Sequence, residues 1–199
     1  MDFSFARTLK VTAFLLLLLA ATQALYTGLY IAEISVPRQF VWGLECLLFT
    51  MLAAFAGAAL AQAKCNHLGW AAIGFSSVLN IIQVSVGLTM FGPFREVAGQ
   101  VDGVAPAAGA VVAFSFMVYY TAKFLLGLAA LVFGLSKMKV GGKSLGGLTA
   151  LVGGVALLAN ATLIVFGRGS FLPSPVAGGT GVVATLLLAV CLATDTRKD

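Results

Sequence analysis

Apolar residues run through this chain in six long stretches, about 11–32, 40–63, 68–92, 110–135, 145–167 and 176–194, separated by short polar or basic segments. At about 1.5 Å per residue, each is long enough to cross roughly 30 Å of hydrocarbon with some tilt. The runs are continuous and do not alternate, which favours helices over the period-two strands of a transmembrane barrel. The expected fold is all-α: a polytopic membrane bundle of six transmembrane helices forming a single domain over 1–199. Pro106 and the Ala107–Ala110 run blur the start of the fourth span. The stretch Phe94–Gly109 reads as the one long connection.

Composition agrees with this pattern. The chain is 60% hydrophobic and 10% charged, with a mean hydropathy of +1.04, against roughly 25% charged residues in ordinary soluble domains. So little polar surface cannot cover a fold in water, and the lipid bilayer is the expected partner. The net charge of +5 is scattered in ones, twos and threes between the apolar runs. Without a basic stripe and interleaved aromatics, nucleic-acid binding is not expected.

The scatter carries topology instead. Arg7 and Lys10, Lys64, the group Lys137, Lys139 and Lys143, and finally Arg197 and Lys198 fall on one side of the six spans. Arg38, Arg95 and Arg168 fall on the other. The positive-inside rule then puts both termini in the cytoplasm, in a plasma membrane or bacterial inner membrane. Arg7 and Lys10 followed by an apolar run and Ala21-Thr22-Gln23-Ala24 also resembles a secretory signal with a small-residue cleavage site. The apolar run continues past that site through Leu25, Tyr26, Leu29, Tyr30 and Ile31, so an uncleaved helix is the expectation.

Small residues suggest how the helices meet. Ala53, Gly57 and Ala61 recur every fourth residue in the second span, and the pairs Gly146-Gly147 and Gly153-Gly154 stand one heptad apart in the fifth. Such spacings let membrane helices approach closely, which places the second and fifth helices in the interior. An inverted repeat of two three-helix halves is not visible. The one echo, Gly127–Gly134 against Gly147–Gly154, joins adjacent spans.

Within the six stretches only Glu45 and Lys123 are charged. A charge at membrane depth is costly, so each is a functional-site candidate whose partner has to be named. Glu45 lies about 8 Å below the outer boundary of its span and Lys123 near the middle of the fourth, but a lysine stem can carry its ammonium several ångströms outward. Asn80 and Gln83 share a face of the third span. Asn160 lies at the depth of Glu45 from the outside; Gln23, Tyr26 and Tyr30 line the first span, and Tyr119 and Tyr120 precede Lys123. If these faces converge they form a polar pocket open outward, with Glu45, Lys123, Asn80, Gln83, Asn160 and Tyr119 as substrate-binding residues. The plainer alternatives are an interfacial Glu45 paired with Arg38, a Lys123 held by a backbone carbonyl or hydroxyl, and amides acting as interhelical glue. Trp42 and Phe40 read as an outer aromatic belt and Trp70 as its cytoplasmic counterpart.

Enzymatic chemistry finds little material. His67 is the sole histidine, and Cys46, Cys65 and Cys191 share no metal-ligand spacing, so no catalytic residue, metal or cofactor is expected. Asn160-Ala161-Thr162 matches a glycosylation acceptor but lies inside a span, and the glycines before Lys143 lack the rest of a phosphate loop. Two functional classes stay open. One is a transporter or channel for a small polar solute or ion. The other is a non-catalytic subunit, a homo-oligomer or part of a larger membrane complex, docking through Gly/Ala faces and outer loops.

Overall fold

The six apolar stretches fold as six helices. A computed structural model describes residues 4–34, 38–101, 103–167 and 171–195. The helices are α1 (Phe5–Ile31), α2 (Arg38–Gln62), α3 (His67–Ala98), α4 (Ala105–Lys139), α5 (Lys143–Phe166) and α6 (Ser174–Ala193). All six are long and apolar enough to cross a membrane.

The main differences from the sequence reading lie around two prolines. The third helix does not stop near residue 92: it runs through Pro93 to Ala98, where the Gly99 N–H donates to the carbonyls of Arg95 and Glu96 and the Gln100 N–H to that of Val97. One proline removes one ladder bond, a loss that a long helix in a bundle tolerates. Pro106 does not blur the start of the fourth helix but sits in its first turn, where its missing N–H would have no intrahelical partner anyway. Both changes shorten the expected Phe94–Gly109 connection to the few residues between Ala98 and Ala105. Pro175 plays the same part at the start of α6.

Helix neighbours define the architecture. α1 packs on α2, α2 on α3, α3 on α4, α4 on α6 and α6 on α1, which closes a ring; α5 packs only on α4 and α6, outside that ring. The start of α1 and the end of α6 lie at one end, the base, where Phe5, Trp70 and Phe133 stack edge to face. Trp70 is 1% exposed, so it is a core side chain and not an interfacial anchor. Its neighbour Gly69 leaves the space that the Phe133 ring occupies, since an added Cβ would come within 2.6 Å of it.

The glycine pattern has a different meaning from the one expected. α5 is not interior, and the small face of α2 points outward: Gly57 has no atom within 4 Å of an added Cβ, whereas Phe49, Leu52, Ala56 and Ala59 are buried. The close approach is between α4 and α5. An added Cβ would lie 2.5 Å from Ala150 N at Gly134, 2.6 Å from Leu131 N at Gly153, 2.7 Å from the Gly134 carbonyl at Gly146 and 2.8 Å from Leu157 N at Gly127. Gly127 and Gly134 on one helix therefore face Gly153 and Gly146 on its antiparallel neighbour, a heptad seam in which backbone meets backbone. Lipid tails are as apolar as leucine, so helix association in a membrane depends on this sort of dispersion contact.

Candidate functional site

Lys123 enters the bundle from the inner face of α4 and is fully buried, 0% exposed. α1 and α4 are not neighbours around the ring, yet the Lys123 ammonium donates a hydrogen bond across it to the Gln23 Oε1 on α1. The ammonium also lies 5.3 Å from the centre of the Tyr119 ring, one turn back along α4, within cation–π range. Its stem needs room on α6, and Gly181 provides it: an added Cβ there would come 2.7 Å from Lys123 Cδ and 3.0 Å from Cγ. Gly178, one turn earlier, would meet the Tyr119 hydroxyl at 3.2 Å. Thr185 returns its hydroxyl to the Gly181 carbonyl at 2.7 Å, so that carbonyl is occupied from its own helix.

Glu45 faces the same interior from α2 and is 5% exposed. Thr22 on α1, whose hydroxyl donates to the Leu19 carbonyl of its own helix at 3.1 Å, and Lys123 are its polar neighbours. Gln23, however, takes the direct hydrogen bond from the ammonium, and Glu45 Oε1 has no hydrogen-bond partner. An ammonium has three donors, of which one is matched by a hydrogen bond among the described residues. Donors without acceptors thus sit near an acceptor without a donor, in a region where an unmatched polar group is expensive.

The remaining candidates lie elsewhere. Asn80 donates to the Ser76 carbonyl at 2.9 Å and Ser76 to the Ala122 carbonyl at 2.9 Å, while Gln83 and Ser115 exchange bonds of 3.5 and 3.3 Å. These groups run along the α3/α4 seam. Asn160 donates to Ala156 at 2.8 Å and to Ala177 on α6 at 3.2 Å, tying α5 to α6 beside the cluster of Tyr120, Leu163 and Ala177. None of the three amides hydrogen-bonds to Glu45 or Lys123. Glu45, Lys123 and Tyr119 converge; Asn80, Gln83 and Asn160 do not join them. Arg38 is no partner of Glu45 either, since it lines a cavity at the top of the bundle.

An aromatic layer lies above the cluster. One turn above the Thr22–Glu45 level, Tyr26 packs against Trp42 with ring centres 5.5 Å apart, and Trp42 meets Phe91 at 5.9 Å. The indole lies against Gly87, where an added Cβ would come within 2.6 Å of it. Beyond this aromatic layer is a cavity of about 640 Å³ between α2, α3 and α4, with Arg38 and Arg95 on its lining. The expected pocket therefore divides into a polar cluster below Trp42 and a largely apolar cavity above it. The sequence reading did not include Thr22, Gly178 and Gly181 in the site. Thr22 and Gln23 lie within the stretch that resembles a signal cleavage site, and Gly178 and Gly181 carry no chemistry of their own. No family model, curated protein or solved structure matches this chain.

Proposed function

We propose that this single-domain membrane protein is a transporter for a small polar solute, with the cluster of Lys123, Glu45, Gln23 and Tyr119 as its binding site. One observation carries the reading: a buried ammonium with unused donors stands near a buried carboxylate oxygen without a partner. A solute bearing both an acceptor and a donor, such as a small zwitterion, satisfies both groups at once. Gln23 then acts as the stand-in acceptor that holds the ammonium while the site is empty. Intramembrane ionisable groups of this kind commonly mark solute or ion pathways.

The test is a thermal-shift panel of small amino acids and amines on the detergent-solubilised protein, followed by uptake of any hit into proteoliposomes. Uptake that Glu45→Gln and Lys123→Met both abolish, with melting still cooperative, supports the reading. No stabilisation across the panel, or uptake unchanged in both variants, rejects it.

The same proposal includes the orientation, both termini cytoplasmic in a plasma or bacterial inner membrane, from the basic residues at the base. Cys65, exposed in the turn between α2 and α3, reports it. A membrane-impermeant maleimide should label Cys65 in inverted vesicles and not in right-side-out ones; the reverse pattern would invert the topology.

A subunit role is the second reading, favoured by the outward Ala54, Gly57 and Ala61 face of α2, which is exposed in the monomer. Light scattering of the purified protein in mild detergent separates the two. A stable dimer that Gly57→Leu dissolves, with no solute binding, supports the subunit reading.

A further inference from the structure

We propose that the cavity between the top ends of α2, α3 and α4 binds one anionic phospholipid, with its phosphate at Arg38 and Arg95 and its acyl chain along Trp42, Phe91 and Leu88. This rests on membrane residence alone and is independent of the transport reading.

The argument is the direction of the polarity gradient. Arg38 is the first residue of α2, Arg95 lies in the last turn of α3, and both are exposed. Going inward from that rim, Trp42 is one turn deeper on α2 and Phe91 one turn deeper on α3. Leu88 lies about 10 Å below Arg95 at 1.5 Å per residue. Charge at the helix ends followed by aromatic and aliphatic walls is the order in which a bilayer itself changes from headgroup to hydrocarbon. A lipid lying parallel to the helices matches the cavity at both levels. A small polar solute would match only the rim.

Size and chemistry agree with this occupant. The cavity of about 640 Å³ is in the range of built ligand sites, roughly 300–1,000 Å³. It holds a headgroup and the upper part of one chain, the rest of the molecule remaining in the bilayer. Guanidinium groups bind phosphate through paired N–H donors, and two of them on separate helices select for an anion over a zwitterion. Glu96 follows Arg95 in the sequence but does not line the cavity, so no carboxylate opposes the phosphate among the lining residues. An apolar groove between helices at this depth is not left to water, and an acyl chain is the material at hand to fill it.

Trp42 makes the occupant visible. The chain has two tryptophans, and Trp70 is enclosed at the base, so Trp70→Phe leaves Trp42 as the sole reporter. The full chain is reconstituted in phosphatidylcholine vesicles containing small fractions of either dibrominated phosphatidylglycerol or dibrominated phosphatidylcholine, and Trp42 fluorescence is read. The expected result is quenching by the brominated anionic lipid at a mole fraction on the order of tenfold lower than by its zwitterionic counterpart. Arg38→Gln combined with Arg95→Gln should bring the two curves together while ordinary bilayer quenching remains. Should Trp70→Phe fail to fold, the same comparison in the unsubstituted protein serves, with Trp70 as a constant background. Equal quenching by the two lipids overturns the proposal, as does a preference that survives loss of both arginines. Millimolar inorganic phosphate provides the last arm: if it relieves the quenching, the site is a simple anion site and the lipid assignment fails.

Discussion

Two regions of this bundle use glycine for opposite purposes. Along the α4/α5 seam, Gly127, Gly134, Gly146 and Gly153 remove side chains so that two backbones touch, and what is buried there is apolar surface and peptide groups already satisfied within their helices. On α6, Gly178 and Gly181 remove side chains so that Tyr119 and the stem of Lys123 can lie flat, and what is buried is a charge. The first arrangement serves cohesion. The second makes room for a group that the membrane penalises, and that group is held by one hydrogen bond to Gln23 and an aromatic face. A seam of this kind strengthens a bundle, whereas an incompletely matched charge weakens it and persists where it serves a function.

The comparison yields predictions that can break it. The largest effect is expected at the seam: Gly134→Val places a branched side chain against Ala150 N and the Gly146 carbonyl, 2.5 and 2.7 Å from the Cβ position. Overpacking against backbone that cannot move aside should cost about 3 kcal/mol or more. Gly154→Val on α5, with no atom within 4 Å of its Cβ position, should change stability by less than about 0.5 kcal/mol. Unfolding of both variants in mixed micelles measures the contrast, and equal losses would remove the seam as the cause of cohesion.

Next comes the charge. Gln23→Leu withdraws the acceptor from a buried ammonium and should cost about 1.5–3 kcal/mol. Lys123→Met keeps the stem and removes the charge, so it should be less harmful than Gln23→Leu, and close to neutral by analogy with buried ion pairs replaced by apolar groups. The double variant should recover part of the Gln23→Leu loss. If Lys123→Met alone proves the more damaging, the lysine is a structural strut and the contrast between the two regions fails.

A smaller loss, about 1–2 kcal/mol, is expected for Gly181→Ala, whose new methyl meets a lysine stem that can shift. Introduced into a Lys123→Ala background, the same change should cost little, because the clash has been removed. Urea or detergent titrations of the cycle report the coupling, and an undiminished cost in that background would show that Gly181 serves the helix and not the lysine. The smallest effect belongs to Gly178→Ala, below about 1 kcal/mol, since its nearest neighbour, the Tyr119 hydroxyl at 3.2 Å, can rotate away.

How much of this was legible beforehand differs by feature. The six helices and their approximate extents could be read because hydrophobic length is a local property of the chain. The third span was ended near residue 92, short of Pro93, and Pro106 was read as blurring the start of the fourth, because a proline's effect depends on whether it falls in a first turn or in a long helix held by neighbours. Glu45, Lys123 and Tyr119 stood out as polar groups at membrane depth and do converge. Asn80, Gln83 and Asn160 stood out by the same criterion and do not, since each turns its NH2 group toward a seam where backbone carbonyls or hydroxyls accept it, although the Asn80 and Asn160 Oδ1 atoms stay without a partner there. Sequence depth gives a height in the membrane; it leaves open the direction in which a side chain faces.

The sequence by itself determined that this protein is built of six helices long and apolar enough to cross a membrane and that two charges fall within those stretches, because both follow from the cost of polar groups in hydrocarbon. Only the tertiary structure decided which helices close the ring, that α5 lies outside it, and that Lys123 reaches Gln23 while Glu45 keeps an unpartnered oxygen. Those outcomes depend on how each helix is rotated about its axis and on which neighbour it meets. That rotation is set by close contacts such as the α4/α5 glycine seam and the bed that Gly181 offers the lysine, which arise between segments far apart in the chain.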